Sequence, residues 1–142
     1  MVALCATAML LACQRQARQS ASVALSDSVL LVIERVGGSR LAEYEHRARL
    51  EHNGQVASRL DLTFDTGGYG RTNLYRLADG QFLLLDAGAS VLIYVPLPSL
   101  QPEMTRQRRG IFVGAFDADS TGTWRFIPAS ERPERPVEYG GG

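Results

Sequence analysis

From Arg40 to Leu50 the even positions carry Ala42, Tyr44, His46, Ala48 and Leu50, while the odd ones include Glu43, Glu45, Arg47 and Arg49. A period of two sustained this long describes a strand with one face buried and one in water, because a helix would scatter the same apolar side chains around its axis. The stretch from Val56 to Asp65 repeats the pattern, with Leu60, Leu62 and Phe64 on one face and Arg59, Asp61 and Asp65 on the other. Two such strands in succession commit the chain to an antiparallel sheet.

The turn between them, His52-Asn53-Gly54, is constrained by that parity. A two-residue Asn-Gly loop would pair Leu50 with Ala57 and send the apolar faces to opposite sides of the sheet. A three-residue loop with Gly54 left-handed, pairing Leu50 with Val56 and Tyr44 with Leu62, is therefore expected. It sets Arg47 diagonal to Asp61 and Glu45 diagonal to Arg59. At Leu77-Ala78-Asp79-Gly80-Gln81-Phe82 a two-residue Asp-Gly turn is expected, with Leu77 opposite Phe82 and Tyr75 opposite Leu84. Further β-branched or aromatic runs at 28–36, 90–95, 111–117 and 123–127 are bounded by Gly, Pro, Asp or Ser. The reading is an all-β chain, a single antiparallel meander of about eight strands forming a barrel or a sandwich. Residues 96–110, with Pro96, Pro98 and Pro102, read as its one long connection.

A chain of 142 residues is about one domain. Hydrophobic residues make up 45% and charged ones 21%, which suits a chain that folds around one core. The 15 basic residues, every one an arginine, balance 15 acidic ones, so no overall field draws the molecule to nucleic acid.

Residues 1–13 form an uncharged, mostly apolar run that ends at Cys13, after which Gln14-Arg15-Gln16-Ala17-Arg18 changes the composition abruptly. The run is too short to cross a bilayer as a helix, which takes ~20 residues, and has the length of a signal-peptide core. Leu10-Leu11-Ala12-Cys13 resembles the lipobox of bacterial lipoproteins. That resemblance implies acylation of Cys13, which becomes the mature N-terminus, and membrane attachment through the lipid. Gln14 implies passage to the outer membrane, with the domain facing the periplasm. No Lys or Arg precedes the run, so a start upstream of Met1 is expected. The expected organisation is a signal at 1–12, lipidated Cys13 with a flexible tether to 26, a β domain at 27–130 and a disordered tail at 131–142. At ~5–6 Å × √n the tether reaches roughly 20 Å. With Cys5 lost in the signal and Cys13 acylated, the domain has no thiol for a disulfide or a metal.

Several residues invite chemistry. Asp65-Thr66-Gly67 is the tripeptide of aspartic proteases, and the residues around Asp86 echo its flanks, but catalysis needs two carboxylates sharing a proton. Both are expected to be strand-end turn residues. Asp117-Ala118-Asp119-Ser120-Thr121-Gly122 begins like a calcium loop yet lacks the closing Glu, so a hairpin turn is expected and no metal is assigned. His46 and His52 are the only histidines. His46 is expected in the core, the alternative being a zinc site completed by Glu43 or Glu51. Phe116, Trp124 and Phe126 pack the core or form an exposed platform, with Arg125 facing away from them. Arg106, Arg108 and Arg109 form a positive cluster in the long connection, able to touch anionic lipid or an acidic partner. With Trp124 they are the candidate binding residues.

No catalytic residue and no cofactor is assigned. The expectation is a lipid-anchored, non-catalytic envelope domain that binds a partner or supports an assembly. The alternatives are a small-ligand carrier or enzyme inhibitor, with a cavity lined by Tyr44, Leu62, Tyr75 and Leu84, and an aspartic-type hydrolase through Asp65.

Overall fold

The computed structural model describes residues 18–37, 44–65, 70–87, 89–105 and 107–137, without the side chains of 44 and 63–65. These residues form ten strands: β1 (Arg18–Ala24), β2 (Val29–Gly37), β3 (Tyr44–His52), β4 (Gln55–Asp65), β5 (Thr72–Arg76), β6 (Phe82–Leu85), β7 (Ser90–Tyr94), β8 (Ser99–Pro102), β9 (Ile111–Ala118) and β10 (Trp124–Pro128). They make two antiparallel sheets, a four-stranded one in the order β1-β2-β3-β4 and a six-stranded one in the order β10-β9-β5-β6-β7-β8. The first sheet faces the second, with β1 lying against β10 and β4 against β8. The architecture is a sandwich and not a closed barrel. It is also not one meander, because β9 returns to pair with β5 on the side away from β6.

Two strands go beyond the sequence reading. β1 lies inside the segment read as tether; only Ala21 and Val23 alternate there as core residues, too weak a pattern to stand out. β8 lies inside the segment read as a long connection, its one proline, Pro102, being tolerable because β8 is an edge strand.

Both turn assignments are reversed. Asn53 and Gly54 sit at φ 50° and 79° and form a two-residue turn, with His52 opposite Gln55. Parity is restored by a bulge: Glu51 pairs with Val56 and Leu50 with Ser58, leaving Ala57 as the extra residue. Ala48 then faces Leu60, and the apolar faces align as the pattern demands. Arg47 comes directly opposite Asp61, with Nε 3.6 Å from the carboxylate, while Glu45 pairs with Arg47 along its own strand. In the second hairpin the loop has three residues, with Leu77 donating to Gln81 O at 2.8 Å and Gly80 left-handed. Leu74 therefore faces Leu84, and Tyr75 faces Leu83.

That shift puts Leu74 and Leu84 in the core between the sheets, with Leu31, Ile33, Leu50 and Leu62. Each such side chain contributes about 1.5–3 kcal/mol by leaving water. Tyr75 points the opposite way, so it does not join Leu62 and Leu84 in the cavity that the carrier alternative requires; Leu62 and Leu84 belong to the packed core. Gly114 allows closure at β9. A Cβ there would stand 2.5 Å from Phe126 Cζ and 2.6 Å from Ile127 O. Gly114→Ala is expected to cost about 1–3 kcal/mol, read as a lower urea midpoint at unchanged slope, because the carbonyl cannot step aside.

The outer face of the six-stranded sheet carries a second apolar cluster of Tyr75, Leu83 and Leu85, all at most 2% exposed. Two segments cover it. Between β8 and β9, Arg108 sets its guanidinium 5.7 Å from the centre of the Tyr75 ring, and residues 131–137 follow β10, so that Val137 packs on the cluster. The second segment was expected to be disordered; through Val137 it is a docked strap. Glu134 accepts hydrogen bonds from the Tyr75 hydroxyl at 2.8 Å and from Arg108 Nη2 at 2.7 Å, and Asn73 Nδ2 donates to Arg135 O at 2.9 Å. The Arg108 bond holds the Glu134 carboxyl below its usual range.

Burial, with the bond to Glu134, pushes the Tyr75 phenol up to about 12. The neutral phenol is the form the fold favours, so this contribution is full below the ordinary tyrosine value of about 10 and is lost as pH rises through about 12. In an alkaline titration at 295 nm one tyrosine is expected to ionise near 12, and Tyr75→Phe should delete that step.

Candidate functional site

β3 presents His46 on the same face as Ala48 and Leu50, hence into the core. From the opposite sheet, Asp86 follows Leu84 on the inner face just past the end of β6. Thr72 opens β5, and Trp124 opens β10. These residues meet. His46 Nδ1 lies 2.8 Å from Asp86 Oδ2, and the Thr72 hydroxyl donates to the same oxygen at 2.6 Å. His46 and Thr72 are 0% exposed and Asp86 is 2%. The His46 ring lies 5.4 Å from that of Trp124, and the Arg35 guanidinium sits 5.2 Å from the same ring. The indole N–H donates to Ile33 O at 3.3 Å.

Gln19, Arg35 and His46 are direct cross-strand neighbours, one row across β1, β2 and β3. Gln19 Oε1 and His46 Nε2 are buried without a hydrogen-bond partner among the described residues. With Nδ1 committed to a carboxylate, the imidazole has the orientation of a positioned base. The Thr72 hydroxyl, however, bonds to Asp86 and not to the imidazole. The cluster is therefore a polar joint between the sheets, without a nucleophile set against a base among the described residues.

The sequence candidates distribute as follows. His46 is in the core, as expected, and is joined there by Asp86, which was expected to serve only a turn. The Asp86 backbone does make that turn, with N–H to Ala89 O at 2.9 Å, while its carboxylate serves the joint. Trp124 is 4% exposed and packed in the core, so it forms no exposed platform. Arg125 faces away from it, toward Asp119 and Glu131. Asp119 accepts from the Thr121 hydroxyl at 2.6 Å and from the N–H groups of Thr121 and Thr123, which hold its carboxyl well below the usual range. This is a hairpin turn closed by left-handed Gly122. Arg108 pairs with Glu134, and Arg109 with Glu103 at 2.7 Å, so two charges of the expected positive cluster are neutralised within the fold. Glu51 pairs with Arg49, and His52 is exposed at the end of β3. Among the described residues no group of three or more His, Cys, Asp or Glu could hold a metal. Cys13, Glu43 and Arg106, and the side chains of Tyr44 and Asp65, lie outside the described residues.

Fold and joint together define a two-sheet antiparallel β-sandwich pinned through its interior by a His-Asp-Thr cluster. No family model, curated protein or solved structure matches the chain.

Proposed function

We propose that this is a lipid-anchored protein of the cell envelope, held in the outer membrane and facing the periplasm, whose β-sandwich works by binding or assembly and not by catalysis. The observation that carries the second half is the sealing of the His46-Asp86-Thr72 joint: its most reactive groups are spent on each other, out of reach of a substrate. Partner recognition then belongs to the surface. The carrier reading loses support because Leu62 and Leu84 sit in a packed core. The hydrolase reading through Asp65 gains no support from Asp86, whose carboxylate is bound to a histidine and a threonine and has no second carboxylate beside it among the described residues.

The anchoring half rests on Leu10-Leu11-Ala12-Cys13. β1 includes Arg18, so at most residues 14–17 lie between Cys13 and the described fold. At ~3.3–3.6 Å per residue such a leash is under ~20 Å even when extended, so a lipid on Cys13 would keep the four-stranded sheet near the bilayer. Cells fed an alkyne palmitate are expected to label the full chain, and Cys13→Ser should abolish the label and release the protein from the membrane fraction. Unchanged labelling and partition in Cys13→Ser would sink the anchoring claim.

A further inference from the structure

Arg71 precedes β5 and turns its side chain to the outer face of the six-stranded sheet, beneath the strap. That side chain is only 10% exposed. Among the described residues its one oppositely charged neighbour within ion-pair range is Asp117, with Nη2 3.6 Å from Oδ2, too long for a hydrogen bond. The Asp117 carboxylate is already taken: Oδ2 accepts from Arg132 at 3.1 Å, and Oδ1 accepts from the Ala118 N–H at 2.8 Å. Arg71 Nε is buried with no hydrogen-bond partner among the described residues. Burial lowers the pull of the guanidinium on its proton, and the Arg135 and Arg132 cations add to that effect against Asp117. Arg71 thus shares the Asp117 carboxylate with Arg132, feels the Arg135 cation as well, and makes no hydrogen bond among the described residues.

Asn73, two positions along the same face, supplies the complementary vacancy in bonding. Its Nδ2 donates to the Tyr75 oxygen at 3.1 Å and to Arg135 O at 2.9 Å, which fixes the amide orientation and leaves Oδ1 as a buried acceptor with no donor. A ligand satisfying both groups must bring negatively charged oxygens to the arginines and a hydroxyl to Asn73. Hydrogen phosphate and the monoanion of a phosphate monoester have both; sulfate has only the first.

We propose that Arg71, Arg132, Arg135 and Asn73 form a binding site for a phosphate group between the strap and the sheet. Arg71 and Arg132 neutralise the oxyanion, Arg135 closes over it from the strap, and the P–O–H donates to Asn73 Oδ1. Binding then couples to strap docking, since Arg132 and Arg135 belong to the strap. The site does not depend on whether Cys13 is acylated.

The test uses the full chain at constant ionic strength in chloride, sulfate or inorganic phosphate. Phosphate is expected to raise the thermal midpoint above that in either other salt, to titrate calorimetrically as one site, and to slow amide exchange in 131–137. Arg71→Met should weaken phosphate binding about tenfold or more while leaving the midpoint in chloride unchanged or higher, because it removes a poorly paired buried cation. Should that variant fail to fold, Arg135→Gln, at an exposed position, reads the same weakening. Asn73→Leu should erase the preference for phosphate over sulfate. Glycerol phosphate binding as tightly as inorganic phosphate assigns the site to an esterified headgroup, and weaker binding assigns it to free phosphate. Equal midpoints in all three salts, or a phosphate response in Arg71→Met and Arg135→Gln equal to wild type, overturns the proposal.

Discussion

Asp86→Ala is expected to lower the unfolding free energy by about 3–5 kcal/mol, a large share of what a domain of this size has. Its Oδ2 is the shared acceptor for His46 Nδ1 and the Thr72 hydroxyl, both 0% exposed. Truncation leaves two donors in the core with no protein acceptor, and each orphan costs about 1–3 kcal/mol. The loss should appear as a lower guanidinium midpoint at unchanged slope. The double variant His46→Leu/Asp86→Ala should be less destabilised than the sum of the two single variants, by at least ~1 kcal/mol, because the imidazole no longer needs a partner. If Asp86→Ala costs under about 1 kcal/mol, the joint does not hold the sheets together and His46 has another source of satisfaction.

Trp124→Ala should cost a similar amount, about 3–5 kcal/mol, for a different reason. The indole is 4% exposed and fills the space between Arg35 and His46 at one end of the sandwich, so its removal leaves a cavity bordered by polar groups. The hydrogen bond to Ile33 O is lost as well. Trp124→Phe keeps most of the volume and should cost distinctly less. The variants are compared by circular dichroism, since Trp124 is the sole tryptophan and the fluorescence signal goes with it. Equal stability of Trp124→Ala and wild type would mean that the end of the sandwich closes without the ring.

The alternation in β3 and β4 carried the all-β class and the burial of the correct faces, because a buried face leaves a period of two wherever the other face is wet. Turn geometry was less legible. Parity between strands can be met by loop length or by a bulge, and at Asn53-Gly54 the chain uses a short loop and then corrects it at Ala57. The same ambiguity moved Tyr75 from the core to the outer cluster. β1 and the strap escaped notice because each depends on a distant surface: Ala21 and Val23 matter only once β2 and β10 are in place, and Glu134 only beside Arg108 and Tyr75. The joint was closer to legible. His46 falls on the apolar phase of β3, and Asp86 falls on the phase of Phe82 and Leu84, so two buried polar side chains on facing sheets had to find partners.

The order of strands along the chain has a kinetic consequence. Residues 18–65 complete the four-stranded sheet from neighbouring hairpins alone, with no strand borrowed from later sequence. Its pairings are local, so it can zip up early, including while the rest of the chain is still being made. The second sheet must wait, because β5 acquires its second neighbour only when β9 arrives from far along the chain. During that interval the inner face of the first sheet, with Leu31, Ile33, Leu50 and an unpartnered His46, stands open to water and to other chains. Sheet docking is therefore expected to be the slow, aggregation-exposed step, with the arrival of Asp86 at His46 marking its completion.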